Sequence, residues 1–166
     1  MSNAPVEPAR YGLFVDNEFV DPAEDRYLDV ENPATGRVWA RVPDASAGDV
    51  DRAVRSARRA FTSGDWPGYR AADRAALLIR IGQALGERAE ELATLQVREN
   101  GKLRREMYGQ AKLLPEHFNY YAGLAQQPGG HTNPLHVTDM VNYTVREPLG
   151  VVAAITPWNS PLLLLA

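Results

Sequence analysis

The chain contains no cysteine, which excludes a disulfide framework, cysteine-ligated zinc and a cysteine nucleophile within these residues. Histidine is scarce: His117, His131 and His136 are the only three. No two of them stand four apart, the spacing that places two ligands on one helix face. His131 and His136 could meet only on a loop or strand, so no metal site is expected. Long apolar runs are missing too. The longest, Pro161 to Ala166, falls far short of the ~20 residues of a membrane helix, and Met1 to Arg10 has no apolar stretch of signal-peptide type. Nor is there a strong excess of charge. The chain has 18 basic and 21 acidic residues, a net charge of −3, without the basic face of a nucleic-acid binder. These absences point to a cytoplasmic protein with neither membrane nor nucleic acid as partner.

What is present suits a globular fold. Hydrophobic residues make up 45% and charged residues 23% of the 166, enough apolar material for a core. Residues 1–10 read as a disordered leader. Tyr11 to Val20 alternates apolar stretches around Asp16-Asn17, a hairpin pattern. Tyr27 to Glu31 is extended and ends at the turn Asn32-Pro33-Ala34-Thr35-Gly36; Arg37 to Val42 is extended again and stops at Pro43. Ser46-Ala-Gly-Asp49 then matches a helix-capping pattern. Behind it Val50, Ala53, Val54, Ala57 and Phe61 fall on one helical face, with Asp51, Arg52, Arg55, Arg58 and Arg59 on the solvated side. Ser63 to Tyr69 is a loop.

A second helix is expected over 71–100, its buried stripe Leu78, Ile81, Leu85, Ala89, Leu92 and Leu95. Gly82 and Gly86 mark close packing or a weak point, and Asn100-Gly101 is the stop. A third is expected over 104–125, with Met107, Ala111, Leu114, Phe118, Tyr121 and Ala125 inward and a kink or break at Pro115. Pro128-Gly129-Gly130 interrupts. Residues 137–147 read as a long exposed strand that could pair edge to edge, Pro148-Leu149-Gly150 as a turn, and Val151 to Thr156 as a strand buried on both faces of a parallel sheet.

The segment that carries chemistry is Thr156-Pro157-Trp158-Asn159-Ser160-Pro161, where that apolar run stops. In open α/β sheets ligands bind beyond the carboxyl ends of the strands. Two prolines stiffen the loop around Asn159. An amide that donates a hydrogen bond without titrating suits a developing oxyanion, for which such donors are worth ~3–4 kcal/mol. The residues alone favour the plainer reading, in which Asn159 satisfies its own turn and Trp158 is core.

Glu147-Pro-Leu-Gly150, the valine-rich run and Pro157-Trp158-Asn159-x-Pro161 together resemble the NAD(P)-dependent aldehyde dehydrogenase superfamily. Other segments add to the likeness in the same order: Asn32-Pro33-Ala34-Thr35-Gly36, Asp49-Val50-Asp51-x-Ala53-Val54, Trp66 with Arg70, Arg74 and Leu77, Glu99-Asn100-Gly101-Lys102, and Tyr120-Tyr121-Ala122-Gly123. The resemblance runs from about Leu13 to the last residue. It implies an α/β fold: residues 11–128 as the amino-terminal part of a Rossmann-like coenzyme domain, 129–148 as a strand arm for homo-oligomerisation, and 149–166 as the truncated start of the sheet. It implies oxidation of an aldehyde to a carboxylic acid by NAD or NADP through a cysteine thiohemiacetal. Asn159 would bind the oxyanion, and Ile155, Thr156, Pro157, Trp158 and Asn159 would line the cofactor. The family's nucleophile, base glutamate and phosphate-binding elements lie beyond Ala166, so the chain is expected to be inactive alone. A non-catalytic assembly module that pairs with an intact subunit is the alternative.

Overall fold

A computed structural model describes residues 7–166 of the chain. Residues 1–6 of the expected leader lie outside the described residues. Ala9 and Arg10 are not leader: they form strand β1 (Ala9–Arg10), satisfying backbone groups against a neighbouring strand edge. The next ten residues make the expected hairpin, β2 (Leu13–Val15) antiparallel to β3 (Glu18–Val20). Asp16 and Asn17 both take positive φ, 54° and 65°, the left-handed pair that a two-residue turn needs to match strand twist. β4 (Tyr27–Asn32) and β5 (Arg37–Pro43) are antiparallel. Their turn closes through Gly36, whose N–H donates to the Asn32 carbonyl at 2.8 Å at φ +63°. The sheet order is β1-β5-β4, with β1 parallel to β5.

Helix α1 (Ala47–Ser63) starts at the capping box read from the sequence. The Asp49 N–H donates to Ser46 Oγ at 3.2 Å, and the Ser46 N–H returns to Asp49 Oδ2 at 3.0 Å. Asp49 does more than cap. It is buried, also takes the Ala23 N–H at 3.2 Å and pairs with Arg52 at 3.1 Å, tying the segment before β4 to the helix. Hydrogen bonds from Ser46 above all hold its carboxyl below the usual carboxylate range, with Ala23 and Arg52 contributing. The face expected to be buried is only partly so: Ala53 and Phe61 are half-buried while Val50 and Val54 are exposed, because α1 packs mainly on the hairpin and the loop that follows it. There Asp16 accepts from Ser56 and Arg59.

The core is a three-helix layer. The expected single helix over 71–100 is two, α2 (Ala71–Glu87) and α3 (Ala89–Asn100), broken at Arg88 with φ −96° and ψ 16°. The break lets both halves pack on α4 (Arg104–Ala125). α3 ends at Gly101 with φ +73°, the left-handed closure that Asn100-Gly101 predicts. α4 runs unbroken through Pro115, so the expected division there does not occur.

Gly82 and Gly86 show why. A Cβ on Gly86 would lie 2.6 Å from Pro115 Cγ, and one on Gly82 would lie 2.8 Å from Phe118 Cβ. The proline ring fills space that the glycines leave, and the lost amide bond is offset by close packing. The buried residues are accordingly small: Ala75, Gly82, Ala89, Ala93, Ala111 and Ala122, with Met107 and Leu114 as the large ones. Ile81 and Tyr121, expected inside, are exposed. Contact at this distance selects the Ala75–Gly82 face of α2 and the Leu114–Ala122 face of α4.

Beyond α4 the chain has little regular structure. β6 (Thr132–Asn133) pairs with β7 (Asn142–Tyr143), two residues each, in place of the long strand expected over 137–147. A two-stranded ribbon with neither face covered does not sustain a longer ladder. The last element is α5 (Pro161–Leu165). Among the described residues no helix is long and apolar enough to cross a membrane.

Gly86→Ala should cost about 1–3 kcal/mol through overpacking against Pro115, read as a lower midpoint in chemical denaturation; an unchanged midpoint would mean the helices part freely. Ser46→Ala should cost about 1 kcal/mol by loss of the cap. Because the folded carboxyl of Asp49 titrates below its unfolded value, its stabilisation is full above the unfolded pKa of about 3.9 and is lost as pH falls through the lower folded value. An Asp49→Asn variant should therefore show a shallower acid limb in stability against pH; an identical limb would show that Asp49 is not the group responsible.

Candidate functional site

The segment that leads to Asn159 passes α1 at Gly150, which turns with φ +90° beside Arg58 and Phe61. Val151 to Thr156, expected as a buried parallel strand, is irregular chain with no ladder partner. A parallel strand needs neighbours on its edges and layers on its faces, and the described residues offer neither. Ile155 is 95% exposed and Trp158 74% exposed, so Trp158 is not core; Pro157 and Asn159 are exposed too, and Thr156 is half-buried. The five residues singled out from the sequence are thus consecutive on one open rim, their backbone groups unused by any sheet.

The far end of that rim is anchored. Ser160 is only 7% exposed, and its carbonyl accepts the Leu164 N–H at 3.1 Å as α5 begins. Pro161 fits the first turn of α5, where an amide donor is dispensable. Leu162, Leu163 and Ala166 then pack against Ala89, Ala111 and Leu114. The α3–α4 core therefore holds α5, and α5 holds the loop.

Among the described residues, no hydrogen bond engages the Asn159 side chain; its carbonyl accepts from Ser160 Oγ at 2.8 Å. The amide is thus not used up in its own turn. Its N–H groups are available to an outside acceptor, and it has no proton to lose near neutral pH. The displaced titrations lie in caps and ion pairs elsewhere: Asp73 and Glu91 are lowered first of all by hydrogen bonds from Arg70 and Arg88. Residues 151–160 hold no acidic, basic, histidine or cysteine side chain, so the hydroxyl and amide side chains of the rim are those of Thr156, Ser160 and Asn159.

Sequence reasoning missed Ser160. Its signal was a serine just before a proline that opens an apolar run, a helix-start pattern overshadowed by the neighbouring asparagine.

Comparison with known proteins gives a family match over most of the chain. The model of the aldehyde dehydrogenase family matches residues 19–166. The (Z)-2-((N-methylformamido)methylene)-5-hydroxybutyrolactone dehydrogenase of Acinetobacter baylyi is 41% identical over 157 residues, 95% of this chain and 32% of that protein. Betaine aldehyde dehydrogenase of Bacillus subtilis is 33% identical over 91% of this chain and 31% of its own length. Among solved structures, an aldehyde dehydrogenase variant from Bacillus cereus superposes with a TM-score of 0.86 at 38% identity, covering 94% of this chain and 32% of that one. The NAD-dependent aldehyde dehydrogenase of Sinorhizobium meliloti gives 0.85 at 36%, over 95% and 32%. The chain spans about a third of the length of the relatives it matches. With the family matched along most of its residues and in its three-dimensional course, the chain belongs to the aldehyde dehydrogenase family.

Proposed function

We propose that this chain contributes the oxyanion donor and one wall of the cofactor site to an enzyme that oxidises an aldehyde to a carboxylic acid with NAD or NADP. The observation that carries the reading is the Asn159 side chain, exposed and free of its own turn, on a loop anchored by α5. As a nucleophile adds to an aldehyde, the carbonyl oxygen gains negative charge. An amide held in place before that charge appears stabilises the transition state more than the ground state, which is what accelerates the step.

The residues present fit a nicotinamide cofactor as one wall. Ile155, Thr156, Pro157 and Trp158 offer an apolar surface with backbone donors and acceptors not used in a sheet. They would hold the cofactor by these groups, and the cofactor, when bound, accepts the hydride from the substrate carbon. A related betaine aldehyde dehydrogenase from Staphylococcus aureus, 35% identical, has been solved in complex with NAD+. The nucleophile must come from outside these residues, which contain no cysteine. Residues 129–148, with Met140, Val141, Tyr143 and Val145 all exposed, supply an apolar ribbon suited to joining subunits.

The 166-residue chain alone should not reduce NAD or NADP in the presence of aldehydes, followed by the absorbance of the reduced nicotinamide; aldehyde-dependent reduction by the pure chain would refute the division of labour. In the protein at its natural length, Asn159→Ala should lower kcat by ~100–1000-fold with little change in Tm. A near-normal rate would reduce Asn159 to a turn residue.

A further inference from the structure

Ser160 is the one residue of the rim that the fold buries. Between Val151 and Ser160 every side chain is exposed except half-buried Thr156, whereas Ser160 is 7% exposed. Its hydroxyl donates to the carbonyl of Asn159 at 2.8 Å, and its own carbonyl receives the first amide bond of α5 at 3.1 Å. We propose that Ser160 is a positioning residue for Asn159. Its hydroxyl fixes the Asn159–Ser160 peptide plane and so the direction in which the Asn159 side chain leaves the backbone. The proposal rests on the reading of Asn159 as an oxyanion donor and adds the device that aims it.

The physical need for such a device is clear from the surroundings. Nothing on the solvent side holds Asn159: Ile155 and Trp158 stand in the open, and the Asn159 amide has no bond within the described residues. Pro157 and Pro161 restrict their own φ and the residues before them, Thr156 and Ser160; neither fixes the ψ of Asn159. A donor that must meet a developing charge within about 0.5 Å and 10–20° therefore depends on a bond from the buried side. Ser160 makes that bond, and α5, seated by Leu162 and Leu163 on the Ala111–Leu114 face of α4, keeps Ser160 in place.

The test is a double-mutant cycle in the protein at its natural length, with aldehyde and NAD+. Ser160→Ala should lower kcat roughly 10- to 100-fold with KM for NAD+ unchanged, and Ser160→Thr, which keeps the hydroxyl, should recover most of the loss. In an Asn159→Ala background, Ser160→Ala should cost nothing further, since the group it aims is gone. Ser160→Gly serves as a second hydroxyl-free variant should Ser160→Ala fail to fold. A normal kcat in a folded hydroxyl-free variant overturns the proposal. So does an equal, additive loss in both backgrounds, which is the mark of a general structural role. If Asn159→Ala itself keeps a near-normal rate, the oxyanion reading falls first and the positioning role with it; if only the Ser160 variants are silent, the oxyanion reading stands and the positioning role alone is lost.

Discussion

The approach of α2 to α4 is the contact on which the rest of the structure leans. Gly82 and Gly86 present bare backbone to Phe118 and Pro115, and added Cβ atoms would come within 2.8 and 2.6 Å of them. At that separation the buried positions must be small, so alanines fill them, while Met107 and Leu114 are the largest side chains fully enclosed. Tight packing of small residues gains contact density at little side-chain entropy. It also makes a rigid platform, and α5 is seated on it. The position of Asn159 therefore descends from two glycines and a proline in α2 and α4 that never touch it.

The second constraint is the distribution of large apolar side chains. Leu113, Tyr120, Tyr121 and Leu124 lie exposed on the outer side of α4, Val50 and Val54 on α1, and Leu149, Ile155 and Trp158 on the rim. Small residues inside and large ones outside invert the usual partition. The relatives place this in proportion, since the chain spans about a third of their length. The rim around Asn159 is open in the same way, with Ile155 and Trp158 both exposed.

Much of the local structure was legible because it is decided by near neighbours in the chain. The Asp16-Asn17 turn, the Gly36 turn, the Ser46–Asp49 capping box and the Gly101 stop each depend on one or two residues whose backbone preferences are steep. The position of Asn159 on a proline-bounded loop was equally plain, as were the segments that resemble the aldehyde dehydrogenases. Other features had no local signal. The break at Arg88 interrupts a stretch with good helical periodicity from Leu78 to Leu95. The buried amide of Gln96, whose two ends have no hydrogen-bond partner among the described residues, runs against the rule that buried polar groups are paired. Ser160 had a local signal as the residue before a helix-opening proline, but its burial had none.

The sequence by itself determined the hairpin turn, the Gly36 turn, the start of α1, the end of α3 and the family, because turn propensities, caps and short motifs act over a few residues. Only the tertiary structure decided which faces are covered. It turned α2 onto its Ala75–Gly82 side rather than Ile81, kept α4 whole through Pro115, left the Val50–Val54 face of α1 open, and denied Val151 to Thr156 a ladder. Burial and strand pairing are properties of what lies opposite, and a periodic pattern records an apolar side chain without recording whether anything reaches it. For the same reason the anchoring of Asn159 through Ser160 and α5 was invisible in one dimension: it requires Leu162 and Leu163 to meet residues about fifty positions earlier in the chain.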